Sequence, residues 1–349
     1  MGDNDDRLNF AVIGLGWVAE NRHIPCILRN PDTILYGAID RKRYRVEEIE
    51  KKFKPLNSSV SEEGKADWLD PDVDAVVITT DPKSHYKLAK QFLESGKHVL
   101  VEKPFCLTVE QGQDLAECAS RSKRLCAVVH NFQFSHSVIK LKNKINNGSL
   151  GDIIGVEAVQ WSNPRRRLPT WYEDLPLGLF FDESPHLLYL IRCLELGQIS
   201  LLSAVERPSS TGRNTPSLIT AHYSVGIIPV RITINFEAAL SEWHLAVFGS
   251  KKTCVVDVFR DELVIIPNDG THRAHEILRT SGWAIGTHLL GTFTSGIRIL
   301  RGKLYYGTDH VYNSFVQAIY TNQKPHGISD RDGIEVVRMQ NEIFASLGK

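Results

Sequence analysis

At 349 residues, 42% of them hydrophobic, the chain is long enough to bury a full core and to divide into two domains. Its 41 basic residues balance 41 acidic ones, so neither nucleic acid nor an anionic membrane is an expected partner. The six cysteines are scattered with no C-x-x-C pair, and the amino terminus is acidic and polar where an export signal is basic and then apolar, so reduced thiols and a cytoplasmic location are expected.

The first apolar run, Asn9 to Ile13, reads as a strand and turns directly into Gly14-Leu15-Gly16-Trp17-Val18-Ala19, opening a helix to about Arg29. This G-x-G-x-x-A pattern is a dinucleotide fingerprint: Gly14 permits the tight turn, Gly16 lets backbone approach a pyrophosphate, and Ala19 lets helix and strand pack closely. Trp17 and Val18 lie at the same helix N-terminus, where an anion binds. The next strand, Ile34 to Ile39, ends in Asp40, at the spacing where an acid accepts hydrogen bonds from the adenosine ribose. Asp40 favours NAD. Arg41, Lys42, Arg43 and Arg45 follow at once, so NADP stays possible, although a solvated helix start accounts for most of these cations.

Helices are expected around Val46 to Phe53 and Ser61 to Leu69, and then a strand, Ala75 to Ile78, closes in Thr79-Thr80-Asp81-Pro82 with His85 just beyond. Thr79, Thr80, Pro82 and His85 are candidates for cofactor contact; His85 reads equally well as a helix-start histidine with no ligand. After a helix over Lys83 to Glu94, the strand His98 to Val101 ends abruptly in Glu102-Lys103-Pro104. In open parallel sheets ligands bind past the carboxyl ends of the strands, so Lys103 is placed to point its ammonium at one. Pro104 stops the strand and admits a cis bond. A helix over Thr108 to Ser122 and a strand over Leu125 to Val129 complete a βαβα alternation, which predicts a doubly wound parallel sheet, a Rossmann domain, over residues 7–129.

Beyond Val129 the pattern changes to a loop, His130-Asn131-Phe132-Gln133-Phe134, a helix to about Asn147, and strands of period two at Ile153 to Trp161, Leu218 to Tyr223, Val230 to Phe236, His244 to Phe248, Thr253 to Phe259 and Leu263 to Ile266. Residues 130–349 are therefore expected to form an α+β domain with a large, mainly antiparallel sheet. Between these strands, Gly178 to Arg192 reads as a helix with Asp182 and His186 four apart on one face. Pro185 is tolerated in a first turn, which predicts a start near Phe181 to Glu183 and puts both polar groups at a helix N-terminus. There the dipole would keep Asp182 ionised and His186 neutral. Arg165-Arg166-Arg167, ahead of Trp171 and Tyr172, reads as a phosphate clamp or as a solvated loop. The apolar stretch Trp283 to Leu300 is interrupted by His288 and Arg298 and is a poor spanning helix. The Gly-rich run Gly282 to Gly307 suits an arm at a crevice mouth or between subunits. No metal site is expected, because the thirteen histidines show no tight ligand spacing.

The early G-x-G-x-x-A, the segment Thr-Thr-Asp-Pro-Lys-Ser-His at 79–85, Gly-Lys-His-Val-Leu-Val-Glu-Lys-Pro at 96–104 and Leu-Gly-Asp-Ile-Ile-Gly-Val-Glu-Ala at 150–158 together resemble the Gfo/Idh/MocA family of NAD(P)-dependent sugar and polyol oxidoreductases. The resemblance spans nearly the whole chain. It implies hydride transfer between nicotinamide and a sugar, polyol or sugar nucleotide, with Lys103, Asp182 and His186 catalytic. It also implies cofactor contacts from Glu102 and Asn131, substrate contacts from Gln133, Arg166 and Trp171, and a homodimer or homotetramer built on the open sheet face of the second domain. The family also contains non-catalytic sugar-linked regulators and NAD-dependent glycosidases, and these are the alternatives. The chain departs from the family in having Gln133 where many relatives carry Arg, and Leu177-Gly178-Leu179 where they carry a Gly-Gly pair.

Overall fold

The computed structural model describes residues 6–61, 71–165, 168, 171–301 and 306–349. The chain forms two compact units: Met1–His130 with Thr308–Arg338, and Asn131–Gly307 with Met339–Lys349.

In the first unit, β1 (Leu8–Ile13), β2 (Thr33–Asp40), β3 (Asn57–Val60), β4 (Ala75–Ile78), β5 (His98–Val101) and β6 (Cys126–Val128) pair in parallel in the order β3-β2-β1-β4-β5-β6. β4 and β5 are buried at every position and, apart from His98, apolar, as strands covered on both faces are. Between the strands run α1 (Ile24–Arg29), α2 (Arg43–Phe53), α3 (Pro82–Glu94) and α4 (Val109–Ser122). Val76, Ile78, Val99 and Val101 pack with Leu88, Phe92 and Leu115 in one core. β3, Asn-Ser-Ser-Val, escapes the sequence pattern because an edge strand is held by backbone pairing with β2 and needs no apolar face. The helix expected over Ser61 to Leu69 falls, apart from Ser61, outside the described residues.

The helix after the glycine turn is not uniformly α. A π-helical turn, Ala19–His23, precedes α1, and the N–H of Ile24 bonds back to Ala19 O. Pro25 follows with no N–H to offer Asn21, and a widened turn is one way a helix accommodates that loss.

The expectation that everything after residue 129 belongs to the second domain needs correcting. α8 (Thr308–Thr321) and most of α9 (Asp330–Ser346) return to the first unit. Phe315 packs edge-on against Phe10, Ile328 O accepts the N–H of Val128, and Val337 joins the parallel-sheet core. Such a return depends on contacts between residues hundreds apart, which no local pattern records.

In the second unit, α5 (His136–Asn146) leads into β7 (Ile153–Trp161), α6 (Leu179–Arg192), β8 (Ile199–Arg207), β9 (Leu218–Val225), β10 (Ile228–Asn235), β11 (Glu242–Gly249), β12 (Lys252–Asp257), β13 (Glu262–Pro267) and α7 (Ala274–Leu300). The seven strands lie in the order β13-β12-β11-β7-β10-β9-β8, all antiparallel except β7 with β10. α6 lies against β7 and β10, and α7 against the edge strand β13.

Candidate functional site

Each unit holds its own group of candidate residues. In the first unit the strand order reverses between β1 and β4, the place where open α/β sheets bind ligands. Gly14 follows β1 at φ +90°, and a Cβ there would meet Thr80 Cγ2 at 2.7 Å, so only glycine fits. Thr79 pins the turn by donating its hydroxyl to Ile13 O and Gly14 O. Asp81 caps α3 by accepting the N–H of Lys83, with Pro82 in its first turn.

Asp40 is buried at the end of β2. Its Oδ2 accepts the N–H of Leu15 at 2.7 Å and its Oδ1 that of Lys42 at 2.8 Å. The carboxylate therefore closes the glycine loop first and keeps part of its acceptor capacity for a hydroxyl. Arg45 Nη1 lies 3.3 Å from Asp40 Oδ2 and 4.0 Å from where a Gly16 Cβ would stand. The fold thus brings Arg45 to the glycine loop from the first turn of α2, whereas Arg41 is exposed. A helix N-terminus at this turn, a glycine that admits no Cβ and a buried carboxylate at the end of the next strand fit a dinucleotide.

His85 needs correcting as a cofactor-contact residue. Its ring is fully buried, with Nδ1 2.7 Å from Pro104 O and Nε2 3.2 Å from Thr80 O. Burial pushes its pKa below the usual histidine value against the pull of those carbonyls and of Glu102 and Asp81. A neutral ring has one N–H to donate, and the nearer acceptor is Pro104 O, in the Lys103–Pro104 turn whose peptide bond is cis.

Glu102, just past β5, accepts the N–H of Lys103 on Oε2 and meets His23 Nε2 on Oε1 at 2.8 Å. The other nitrogen of His23 meets the hydroxyl of Tyr312 at 2.9 Å. Burial pushes the Tyr312 phenol well up, so it keeps its proton and donates to Nδ1, which leaves Nε2–H to donate to Glu102. Burial also raises Glu102, but the His23 hydrogen bond, the charge of Lys103 and the Lys103 N–H outweigh it and hold the carboxyl below its usual value. Glu102 is therefore an anion beside Lys103. His23 and Tyr312 escape sequence reasoning because they meet across 289 positions of chain.

In the second unit the helix that carries Asp182 and His186 starts earlier than expected. α6 begins at Leu179, so Pro185 sits inside it and His186 stands beyond the first turn, outside the reach of the N-terminal dipole. The carbonyl that Pro185 leaves without an N–H belongs to Phe181, and Gln340 Nε2 donates to it at 2.7 Å. The start itself is set by Leu177 and Gly178, both at positive φ, where the family pattern has its glycine pair. From Leu179 to Ile191 every residue is buried except Asp182 and His186.

His186 Nδ1 lies 2.8 Å from the hydroxyl of Tyr189, which also accepts the N–H of Phe132 and donates to Asn131 Oδ1 at 3.3 Å. With the phenolic proton committed to Asn131, the network assigns the imidazole proton to Nδ1 and leaves Nε2 as the basic nitrogen. Phe132 and Trp243 flank the ring at 5.0 and 5.1 Å. The amide of Asn131 is engaged by Tyr189 and by Tyr306 O. Tyr189 escapes notice in the sequence as one more apolar-helix residue, although its place three after His186 was a usable signal. Gln133 is buried on the short 3-10 turn Phe132–Phe134, Trp171 opens another, Trp171–Asp174, and Arg166 lies outside the described residues. Glu242, His244 and Asp257 cluster closely enough for a cation, but Arg260 pairs with both carboxylates and already supplies a positive charge between them.

Residues 8–130 match the family described as "Oxidoreductase family, NAD-binding Rossmann fold", GFO_IDH_MocA. Over these residues the chain is similar to the Gfo/Idh/MocA oxidoreductases. Among the similar proteins, an "Uncharacterized oxidoreductase YdgJ" of Escherichia coli is 32% identical over 188 residues, 52% of each chain. The "scyllo-inositol 2-dehydrogenase (NADP(+)) IolW" of Bacillus subtilis is 33% identical over 147 residues, 41% of this chain and 40% of that one. The chain thus spans about half the length of the curated relatives it matches. A crystal structure of the WlbA dehydrogenase from Bordetella pertussis in complex with NADH and UDP-GlcNAcA has the same fold over 99% of this chain and 96% of that one, with a TM-score of 0.78 and 16% identity. The family has an NAD-binding Rossmann domain, and this chain's glycine turn and Asp40 carry it.

Proposed function

We propose that the protein transfers a hydride between NAD and a secondary alcohol or ketone of a sugar, polyol or sugar nucleotide, with Lys103, Asp182 and His186 as its catalytic residues. The reading rests on α6, in which every residue from Leu179 to Ile191 is buried except Asp182 and His186, with the His186 tautomer fixed by Tyr189. When bound, nicotinamide supplies the hydride acceptor. His186 Nε2 takes the proton of the substrate hydroxyl, and Lys103 donates to the developing alkoxide, a division of labour that general base catalysis requires. Asp182, one turn earlier on the same open face, orients the substrate. NAD is favoured over NADP by Asp40, and Arg45 is the group that would admit a 2′-phosphate. The sugar class is supported by the inositol dehydrogenase and the sugar-nucleotide complex among the similar proteins. Six buried thiols support a reducing compartment, the cytoplasm. Ile154, Trp161, Leu202 and Val205, exposed on β7 and β8, support association through the sheet.

The test is a screen of sugars, polyols and sugar nucleotides by nicotinamide absorbance, repeated with Lys103→Met and His186→Ala. Turnover should fall by roughly 10²- to 10⁴-fold in each variant while NADH binding persists. Full activity in either variant overturns its assignment. Release of sugar from a glycoside without net NADH would favour the glycosidase branch, and NADH binding with no turnover of any substrate would favour a regulator.

A further inference from the structure

α7 is built inside out. It meets the sheet through small and polar residues: Thr287 Oγ1 accepts the N–H of Ile265, Ser295 donates to Arg260 O, and Thr292 donates to Glu262. Gly291 lies so close to Glu262 that a Cβ would meet its Oε2 at 2.6 Å, and Arg298 reaches Asp261. The large apolar residues point elsewhere. Ile277, Leu278, Trp283, Ile285, Leu289, Leu290, Phe293, Ile299 and Leu300 are all exposed, Leu289 at 63%, Phe293 at 67% and Leu300 at 89%. At on the order of 100 Å² apiece these nine side chains present roughly 900 Å², above the few hundred Å² that monomers ordinarily expose and comparable with the ~800 Å² each partner contributes to a standard interface.

The arrangement of the stripe says what covers it. At 3.6 residues per turn, Leu278, Gly282, Ile285, Leu289, Phe293, Gly296 and Leu300 fall on one line down the helix, roughly half a turn from the face that touches β13. The line is symmetric about Leu289: leucine at both ends, glycine one turn in from each, Ile285 and Phe293 flanking the centre. A Cβ on Gly282 or Gly296 would have nothing within 4 Å. A two-fold axis through Leu289 would bring Gly282 of one chain opposite Gly296 of the other, Ile285 opposite Phe293, and Leu278 opposite Leu300. Self-complementarity of this kind is what an isologous interface demands, and paired glycines let two helix backbones approach closely. A lipid surface would ask for a basic polar flank and bulky residues along the line, and α7 has no lysine or arginine between Arg279 and Arg298.

We propose that α7 pairs antiparallel with α7 of a second copy of this chain, about an axis through Leu289. The contact is separate from the sheet, so the two can be broken independently.

The test measures the mass of the full chain by light scattering across a dilution series. Wild type should show an associated species of two chains or an even multiple. Leu289→Glu, which faces two carboxylates across the axis, and the double variant Gly282→Leu, Gly296→Leu should each weaken association at least 100-fold. Thermal midpoint and NADH binding should be unchanged, because Leu289 and Gly282 are exposed and a Cβ at Gly296 has nothing within 4 Å. Leu289→Cys should form a disulfide-linked dimer when treated with diamide, since all six native cysteines are buried. A wild-type chain that stays monomeric at its highest soluble concentration overturns the proposal. An oligomer unmoved by every α7 variant overturns it too, as does a monomer that floats with vesicles through α7.

Discussion

α6 and α7 are both rich in leucine, isoleucine and phenylalanine, yet one is buried on nearly every side and the other exposed on most. α6 reads as apolar all round and is enclosed accordingly, so the open positions before its terminal Arg192, Asp182 and His186, stand out as the ones with chemistry to do. α7 turns glycine, serine and threonine to the sheet and leaves its leucines outside. Apolar content therefore does not assign a helix to a core. The face that meets the partner layer does, and the residues left on the other face carry the information about function or association.

The comparison is sharpest where one chemical change is made in both helices. Leu187→Ala, on the enclosed side of α6, should cost about 2–5 kcal/mol in denaturant unfolding, because the cavity cannot refill with water or backbone. A loss under about 1 kcal/mol would mean α6 is not packed as described. Gln340→Leu removes the donor to Phe181 O and should cost about 1–3 kcal/mol, the penalty of an orphaned buried carbonyl behind Pro185. An unchanged thermal midpoint would show that the helix tolerates the proline without help.

Acid offers a control outside both helices. Burial, with the charge of Arg124 beside it, pushes the pKa of His98 down to about 4. The unfolded chain titrates this group near 6.5, so below that pH the unfolded state binds a proton the native state refuses. Stability is full above about pH 6.5 and is lost as pH falls toward 4, up to about 2 kcal/mol of it by pH 5. His85, also lowered by burial, acts in the same direction. Melts at pH 7 and pH 5 should show this loss, and His98→Gln, which keeps an acceptor for Leu125 N–H, should shrink it, whereas α7 variants should leave it alone. The smallest effect belongs to Leu289→Ala, which should change the stability of the dilute chain by less than about 0.5 kcal/mol while weakening its association.

Local chemistry was legible and its enclosure was not. The glycine turn, Asp40 and Glu102-Lys103-Pro104 could be read because each sits at the end of an apolar strand within a few residues of the signal. Tyr189 was within one helical turn of His186 and was overlooked for want of a stated partner, whereas Arg45 was named among the cations after Asp40 without a sign of which of them would meet it. β3 and β8 were missed because edge strands need little or no buried side chain, and β8 alternates only partly buried with exposed positions. By itself the sequence determined the two architectures, the NAD-binding turn and the residue types at the candidate site, since these follow from periodicity and from turns closed by near neighbours. Only the tertiary structure decided that α8 rejoins the first unit, that Pro185 sits inside α6 because Gln340 satisfies Phe181, and which face of α7 is left bare. Each of those depends on a partner far along the chain, and a hydrogen bond or a packed face has no local trace until its partner arrives.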